Sequence, residues 1–215
     1  MVSVTQVQLI NRLLERQALR FGDFTLKSGK KSPYFINTGC LSTGGDLEAI
    51  GSWYADTINE HWGDNVDVVF GPAYKGIPLA LAAASGLERK QNRRIGWSYD
   101  RKEVKAHGDG GAFVGAPLEN GARVVVVDDV LTAGTALRES LAKLADLDVT
   151  VLGAVISVDR EEPHETAGTN RQALVEELRL PIEPLIGITA ILEHLQDDTR
   201  LSDDAKNAIA THLGK

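Results

Sequence analysis

Apolar residues in this chain follow two patterns. The first is the unbroken run: residues 124–127 are four consecutive valines with no polar alternation, the pattern of a strand covered on both faces in a parallel sheet. Residues 66–70, 94–98, 149–158 and 184–189 read as companion strands. The second pattern repeats every three or four residues. Val7, Ile10, Leu14 and Ala18 form one stripe over 4–19, and Leu137, Leu141, Leu144 and Leu147 form another, with Arg138, Glu139, Lys143 and Asp146 between them; both predict amphipathic helices. Further helices are expected over 46–62, following good capping chemistry at Thr43, and over 79–87, 170–180, 190–196 and 202–213. Strands alternating with helices predict an α/β domain with a mostly parallel central sheet.

Three stretches break the alternation. Residues 21–37 alternate and turn at Ser28-Gly29, predicting a hairpin near the amino terminus. Residues 99–115 are rich in glycine and have no useful period, so they read as a long mobile loop, which in a compact domain usually serves function. Residues 161–170 read as a polar loop. No linker or repeat divides the 215 residues, and a single domain is expected, with a core over about 45–190 and a hood built from about 1–40 and the carboxyl-terminal region.

The net charge of −7 argues against general affinity for nucleic acid or membrane surfaces. A single cysteine, Cys40, excludes an internal disulfide framework and a cysteine-based zinc site. With no signal segment and no long apolar run, the expected setting is the cytoplasm.

The chemistry gathers behind the valine run. Asp128 and Asp129 fall at the carboxyl end of the predicted strand, where open parallel sheets collect ligands. Thr132-Ala133-Gly134-Thr135-Ala136 then supplies hydroxyls and small residues, so that N–H groups can close on an anion where a helix begins. A carboxylate pair that accepts from neighbouring hydroxyls, beside a loop that holds a phosphate, suits a ribose 5-phosphate. Gly71-Pro-Ala-Tyr74-Lys75-Gly repeats the strand, tight loop and helix, and suits a second anion. A Walker loop is absent, and Gly108-Asp-Gly-Gly-Ala-Phe113 fails the dinucleotide fingerprint at its last position.

The stretch 124–136 resembles the phosphoribosyl pyrophosphate (PRPP) signature of type I phosphoribosyltransferases. That resemblance implies their fold: a central, mostly parallel sheet flanked by helices, with a small amino-terminal hood. It also implies that Val130, Leu131, Thr132, Ala133, Gly134, Thr135 and Ala136 bind PRPP together with Asp128 and Asp129, and that Tyr74 and Lys75 hold its diphosphate. Three further stretches resemble orotate phosphoribosyltransferases in particular. The run from Phe21 to Asn37 implies that Lys27 reaches PRPP and that Lys27, Phe35 and Ile36 meet the base; the family commonly has a second Phe where this chain has Ile36. Arg101-Lys102-Glu-Val-Lys105-Ala-His107-Gly resembles the family's catalytic loop, which closes over the neighbouring subunit's site and so implies a homodimer. Asp159-Arg160 carries the arginine that reads the carboxylate of orotate, with Thr132 nearby; by itself Arg160 reads equally well as a surface ion-pair residue.

The implied reaction moves the 5-phosphoribosyl group from PRPP to N1 of orotate. Asp128 and Asp129 would favour the cation that develops on the ribose, and Lys75, Arg101, Lys102, Lys105 and His107 the leaving pyrophosphate. Lys105 or His107 would give that pyrophosphate a proton. Mg²⁺ is the expected cofactor, bound near Asp128 and Asp129 mainly through PRPP and water, without a dedicated protein cage. Readings as a purine or other pyrimidine transferase, a PRPP-sensing regulator that binds nucleic acid, and a phospho-receiver domain each leave some part of the pattern unexplained.

Overall fold

The computed structural model describes residues 2–26, 29–105 and 111–214, with the backbone alone at 103–105. Six strands form the central sheet, in the order β10 (Ile182–Gly187), β7 (Val149–Asp159), β6 (Ala122–Leu131), β3 (Val68–Phe70), β4 (Gly96–Lys105) and β5 (Gly111–Gly115). All neighbours are parallel except β5, which pairs antiparallel to β4 at the edge. The valine run lies at the centre of this sheet, and the pleat explains its composition. Val125 and Val127 join the core on one face with Val69 and Val155, while Val124 and Val126 join the core on the other with Val68, Phe70, Ala154 and Ile156. A strand buried on both faces has no side to give to water.

Helices α2 (Gly44–Trp62) and α3 (Gly76–Gln91) cover the first face. Helices α4 (Thr135–Ala145) and α5 (Asn170–Leu178) cover the second through Leu137, Leu144 and Leu174. The hood is the hairpin β1 (Leu19–Thr25) and β2 (Lys31–Ile36), joined to the first core by α1 (Val4–Glu15), α6 (Ile188–His194) and α7 (Asp203–His212). Helix α1 stops at Glu15, short of the predicted residue 19, because Gln17 turns to positive φ (54°) and delivers buried Ala18 and Leu19 to β1. Helix α3 starts three residues before the predicted 79. Pro78 lies in its first turn, where a missing N–H costs nothing.

The largest correction concerns residues 99–115. Where the predicted loop is described, at 99–105 and 111–115, with 106–110 outside the described residues, it is strand: β4 continues to Lys105 and pairs with β5, Tyr99 opposite Val114 and Asp100 opposite Phe113. Its alternation is inverted: Ser98 and Asp100 are buried, whereas Trp97 is 36% exposed and stacks on Tyr99. A reading that expects apolar residues inside misses the continuation of such a strand. The polar loop at 161–170 likewise contains a two-residue hairpin, β8 (Pro163–His164) with β9 (Gly168–Thr169).

Candidate active site

From β3 the chain moves outward through α3 to β4 and β5, then returns across β3 to build β6, β7 and β10 on the other side. The strand order therefore reverses between β3 and β6, and a crevice opens there beyond the carboxyl ends, the place where such sheets bind ligands. Because β3 ends at Phe70, opposite Val126, residues 127–131 of β6 pair with β7 alone.

One wall is the turn from β3 to α3. It is tight: a Cβ on Gly71 would lie 2.0 Å from the Gly76 carbonyl oxygen. The Gly71 N–H donates to Ser98 O (3.0 Å), and the Ala73 N–H to Asp100 Oδ1 (2.8 Å). The Ala73–Tyr74 peptide is cis. The N–H groups of Tyr74 and Lys75 meet no acceptor among the described residues. Tyr74 is 72% exposed, with Lys102 Nζ 5.9 Å from its ring centroid. Arg101 and Lys102 line a cavity of about 570 Å³ with Tyr74, Tyr99 and Asp100.

The opposite wall is the turn from β6 to α4. Gly134 precedes the helix in the left-handed region (φ 74°), and a Cβ there would fall 2.4 Å from Leu174 Cδ1, so any side chain at this position is strained and must displace Leu174. The N–H groups of Thr132 through Ala136 have no acceptor among the described residues; the first return bond runs from Arg138 N to Gly134 O. Thr132, Ala133, Thr135 and Ala136 are exposed. A cavity of about 490 Å³ is lined by Asp128, Val130, Thr132, Gly134, Thr135 and Ala136 among others. Leu131 turns largely into the core, and Val130 packs against the other core.

Between the walls stand the two acids, and the pleat separates them. Asp129 Oδ2 accepts from Lys75 Nζ (2.6 Å) and from Thr38 Oγ1 (3.1 Å), on the side of the hood and α3. Asp128 faces the cavity below α4. The Asp128 carboxyl is pushed up to about 6, chiefly by burial and then by the charge of Asp129, with the Asp129 N–H and Lys75 pulling the other way. Beneath them the buried Tyr54 hydroxyl donates to the Asp128 carbonyl (2.6 Å) and lies 2.7 Å from Ser157 Oγ.

Arg160 follows Asp159, which pairs with Leu131 at the end of β6. The expected surface ion-pair alternative gives way to burial: Arg160 is 3% exposed, with Nε on Glu162 (2.7 Å), Nη2 on Ser32 Oγ (3.0 Å) and its guanidinium 4.5 Å from the Tyr34 ring centroid. Phe35 is half-buried beside Phe24 and Arg20. Ile36 points the other way, into the core at 7% exposure, so its side chain does not stack on a ligand and only its backbone remains for that purpose. Lys27, His107 and the side chain of Lys105 lie outside the described residues. Asp100, Thr38 and Tyr54 escape a sequence reading because single polar residues in apolar or mixed stretches carry no spacing signal. Among the described residues, no group of three or more His, Cys, Asp or Glu is placed to hold a metal, and no helix is long and apolar enough to cross a membrane.

An α/β sheet whose switch point holds two uncapped turns around an acidic strand end suits a phosphorylated ribose, and the phosphoribosyl transferase domain model, which matches residues 43–168, places the chain among the phosphoribosyltransferases. The chain is 48% identical over 214 residues to the orotate phosphoribosyltransferase of Bifidobacterium longum strain DJO10A, covering 94% of this chain and 93% of that one. It is 43% identical over 196 residues to that of Pseudomonas syringae pv. tomato, covering 91% of each. The crystal structure of orotate phosphoribosyltransferase from Francisella tularensis superposes with a TM-score of 0.79 at 35% identity, over 95% of this chain and 96% of that one. The chain belongs to the orotate phosphoribosyltransferase family.

Proposed function

We propose that the crevice transfers the 5-phosphoribosyl group of PRPP to N1 of orotate, giving orotidine 5′-monophosphate and pyrophosphate. One observation carries the reading: two turns with unsatisfied N–H groups flank an acidic strand end, matching a donor with a phosphate at each end and two hydroxyls between them. The turn from Thr132 to Ala136 takes the 5′-phosphate, and Tyr74 with Lys75 takes the diphosphate. Ribose lying across the end of β6 meets Asp129 on one side and Asp128 on the other.

As the C1′–oxygen bond to pyrophosphate breaks, its electron pair leaves with pyrophosphate, while N1 of orotate gives up its hydrogen to water as a proton and uses the electron pair of that N–H bond to form the new bond to C1′. The two carboxylates favour the transient positive charge on the ribose. The family resemblance gives Arg160 the carboxylate of orotate, and Phe35, Lys27 and Thr132 the rest of the base site; Arg160 is held by Glu162 and Ser32 over Tyr34, on the face of β2 opposite Phe35. Lys105 or His107 donates a proton to the leaving pyrophosphate, with Arg101 and Lys102 balancing its charge. Mg²⁺ fits this set through the oxygens of PRPP, water and the hard carboxylates of Asp128 and Asp129; when bound it neutralises diphosphate charge.

The partner is a second copy of the chain, with the basic part of 99–115, from Arg101 onward, closing on the neighbour's site. The likeness of residues 101–108 to the family's catalytic loop supports it, and a sedimentation coefficient of a monomer at micromolar concentration would refute it. The single cysteine suits a reducing setting such as the cytoplasm.

The test is the loss of orotate ultraviolet absorbance with PRPP and Mg²⁺, with adenine, hypoxanthine and uracil run in parallel. Turnover of orotate alone is expected; turnover of a neutral base instead would overturn the base assignment. Lys105→Ala is expected to lower turnover by roughly 100- to 1,000-fold, and a near-normal rate would remove Lys105 from the chemical step.

A further inference from the structure

Asp100 has no role in the mechanism above, yet it is a buried group that touches one wall of the crevice and the helix that carries the other. It lies on β4, two residues beyond the point where β4 last pairs with β3, and is 4% exposed. One carboxylate oxygen accepts the Ala73 N–H of the β3–α3 turn (2.8 Å). The other accepts from Lys143, in the last turn of α4, the helix whose opposite end forms the second wall.

A buried carboxylate beside a turn that holds an anion is unfavourable for two reasons. It must be desolvated, and it repels the ligand. Lys143 offsets both, and its ammonium is itself only half-covered. The arrangement uses the carboxylate for what a neutral side chain does less well: it fixes the Ala73 N–H inward with a charge-assisted bond. The next two N–H groups, those of Tyr74 and Lys75, are then left without an acceptor among the described residues.

We propose that Asp100, charge-balanced by Lys143, is a positioning residue that holds the Tyr74–Lys75 turn ready for the diphosphate and ties it to α4. The inference rests on the function proposed above, and it predicts a split between ligands. Asp100 should matter for groups that sit in the β3–α3 turn and little for those held elsewhere.

The experiment measures binding of inorganic pyrophosphate, ribose 5-phosphate, PRPP and orotate by calorimetry, with melting temperature and KM, for wild type and four variants. Asp100→Ala is expected to weaken pyrophosphate and PRPP by at least about tenfold, leaving ribose 5-phosphate and orotate within about twofold. Asp100→Asn keeps an acceptor for Ala73 and should lose about threefold or less. Lys143→Met leaves the carboxylate unbalanced and should weaken pyrophosphate more than Asp100→Asn does. The double variant Asp100→Asn with Lys143→Met should recover to the level of Asp100→Asn alone, a rescue that a merely structural ion pair would not give. Equal weakening of all four ligands, a lowered melting temperature with unchanged affinities, or additive losses in the double variant would each overturn the proposal. Should the wild type bind neither pyrophosphate nor PRPP, the function itself is wrong; should it bind both and Asp100→Ala bind them equally well, only this inference fails.

Discussion

The helices of this molecule begin in two ways, and the difference separates scaffold from site. Helices α1, α2, α5 and α7 start from Ser3, Thr43, Thr169 and Ser202, each accepting a backbone N–H of the first turn on its side-chain oxygen. In α1, α2 and α5 the third residue of the helix answers with a reciprocal bond. Helices α3 and α4 start from Lys75 and Gly134 with no side-chain cap. An uncapped start leaves donors unsatisfied and is a stability cost unless something else accepts them. Both uncapped starts face the crevice at the switch point, so the donors that the scaffold satisfies internally are the ones the site keeps for its ligand. Helix α6 also lacks its own side-chain cap, at Gly187, but Glu161 accepts the Thr189 N–H (3.3 Å), and it lies outside this pair.

The comparison breaks most sharply at Gly134. Gly134→Ala must adopt φ 74° and place a methyl 2.4 Å from Leu174, so the turn shifts and its N–H groups leave the phosphate. A fall in kcat/KM for PRPP of at least about 100-fold is expected with the circular-dichroism spectrum unchanged; a loss below tenfold would mean that the open α4 start is not the phosphate site.

Asp128 carries the next effect. Its folded carboxyl titrates near 6 rather than at 3.8, so between those values the folded chain binds more protons than the unfolded one. Stability then falls as pH rises through that window, and the deficit persists above it. Asp128→Asn removes the buried charge and should raise the unfolding free energy at pH 8 by about 1–2 kcal/mol, less than the full shift implies because the group is partly exposed. The wild-type rate should decline as pH drops through about 6, while Asp128→Asn should be slower and lack that inflection. Denaturant melts at pH 4.5 and 8 check the first expectation, and a pH–rate profile the second.

The smallest effects belong to the capped helices. Ser3→Ala and Thr43→Ala should each cost about 1 kcal/mol of stability and leave KM for PRPP within about twofold. A selective rise in that KM without loss of stability would dissolve the distinction between scaffold and site.

Much of this was legible in the chain. The valine run, the acids behind it and the small-residue turn lie within 13 consecutive residues, 124–136, and local order is what a sequence states most directly. The β3–α3 turn was legible for the same reason. What misled was the continuation of the predicted strand 94–98 into 99–105, because the buried position there is the acid Asp100 and the aromatic Tyr99 is only half-buried. Arg160 was ambiguous until the partners of its guanidinium were known, one of them the distant Ser32 of the hood.

The chain by itself determined which residues could bind a phosphorylated ribose, since strand, acids and turn follow one another with no contact from afar needed to order them. Tertiary structure decided how those residues divide their work. The pleat sends Asp128 and Asp129 to opposite sides of β6, the reversal of strand order brings two turns separated by some 57 residues (Lys75 to Thr132) to one crevice, and buried groups from elsewhere, Thr38, Tyr54 and Asp100, hold them there. Such contacts depend on the path of the whole chain through the sheet, which no local pattern of residues encodes.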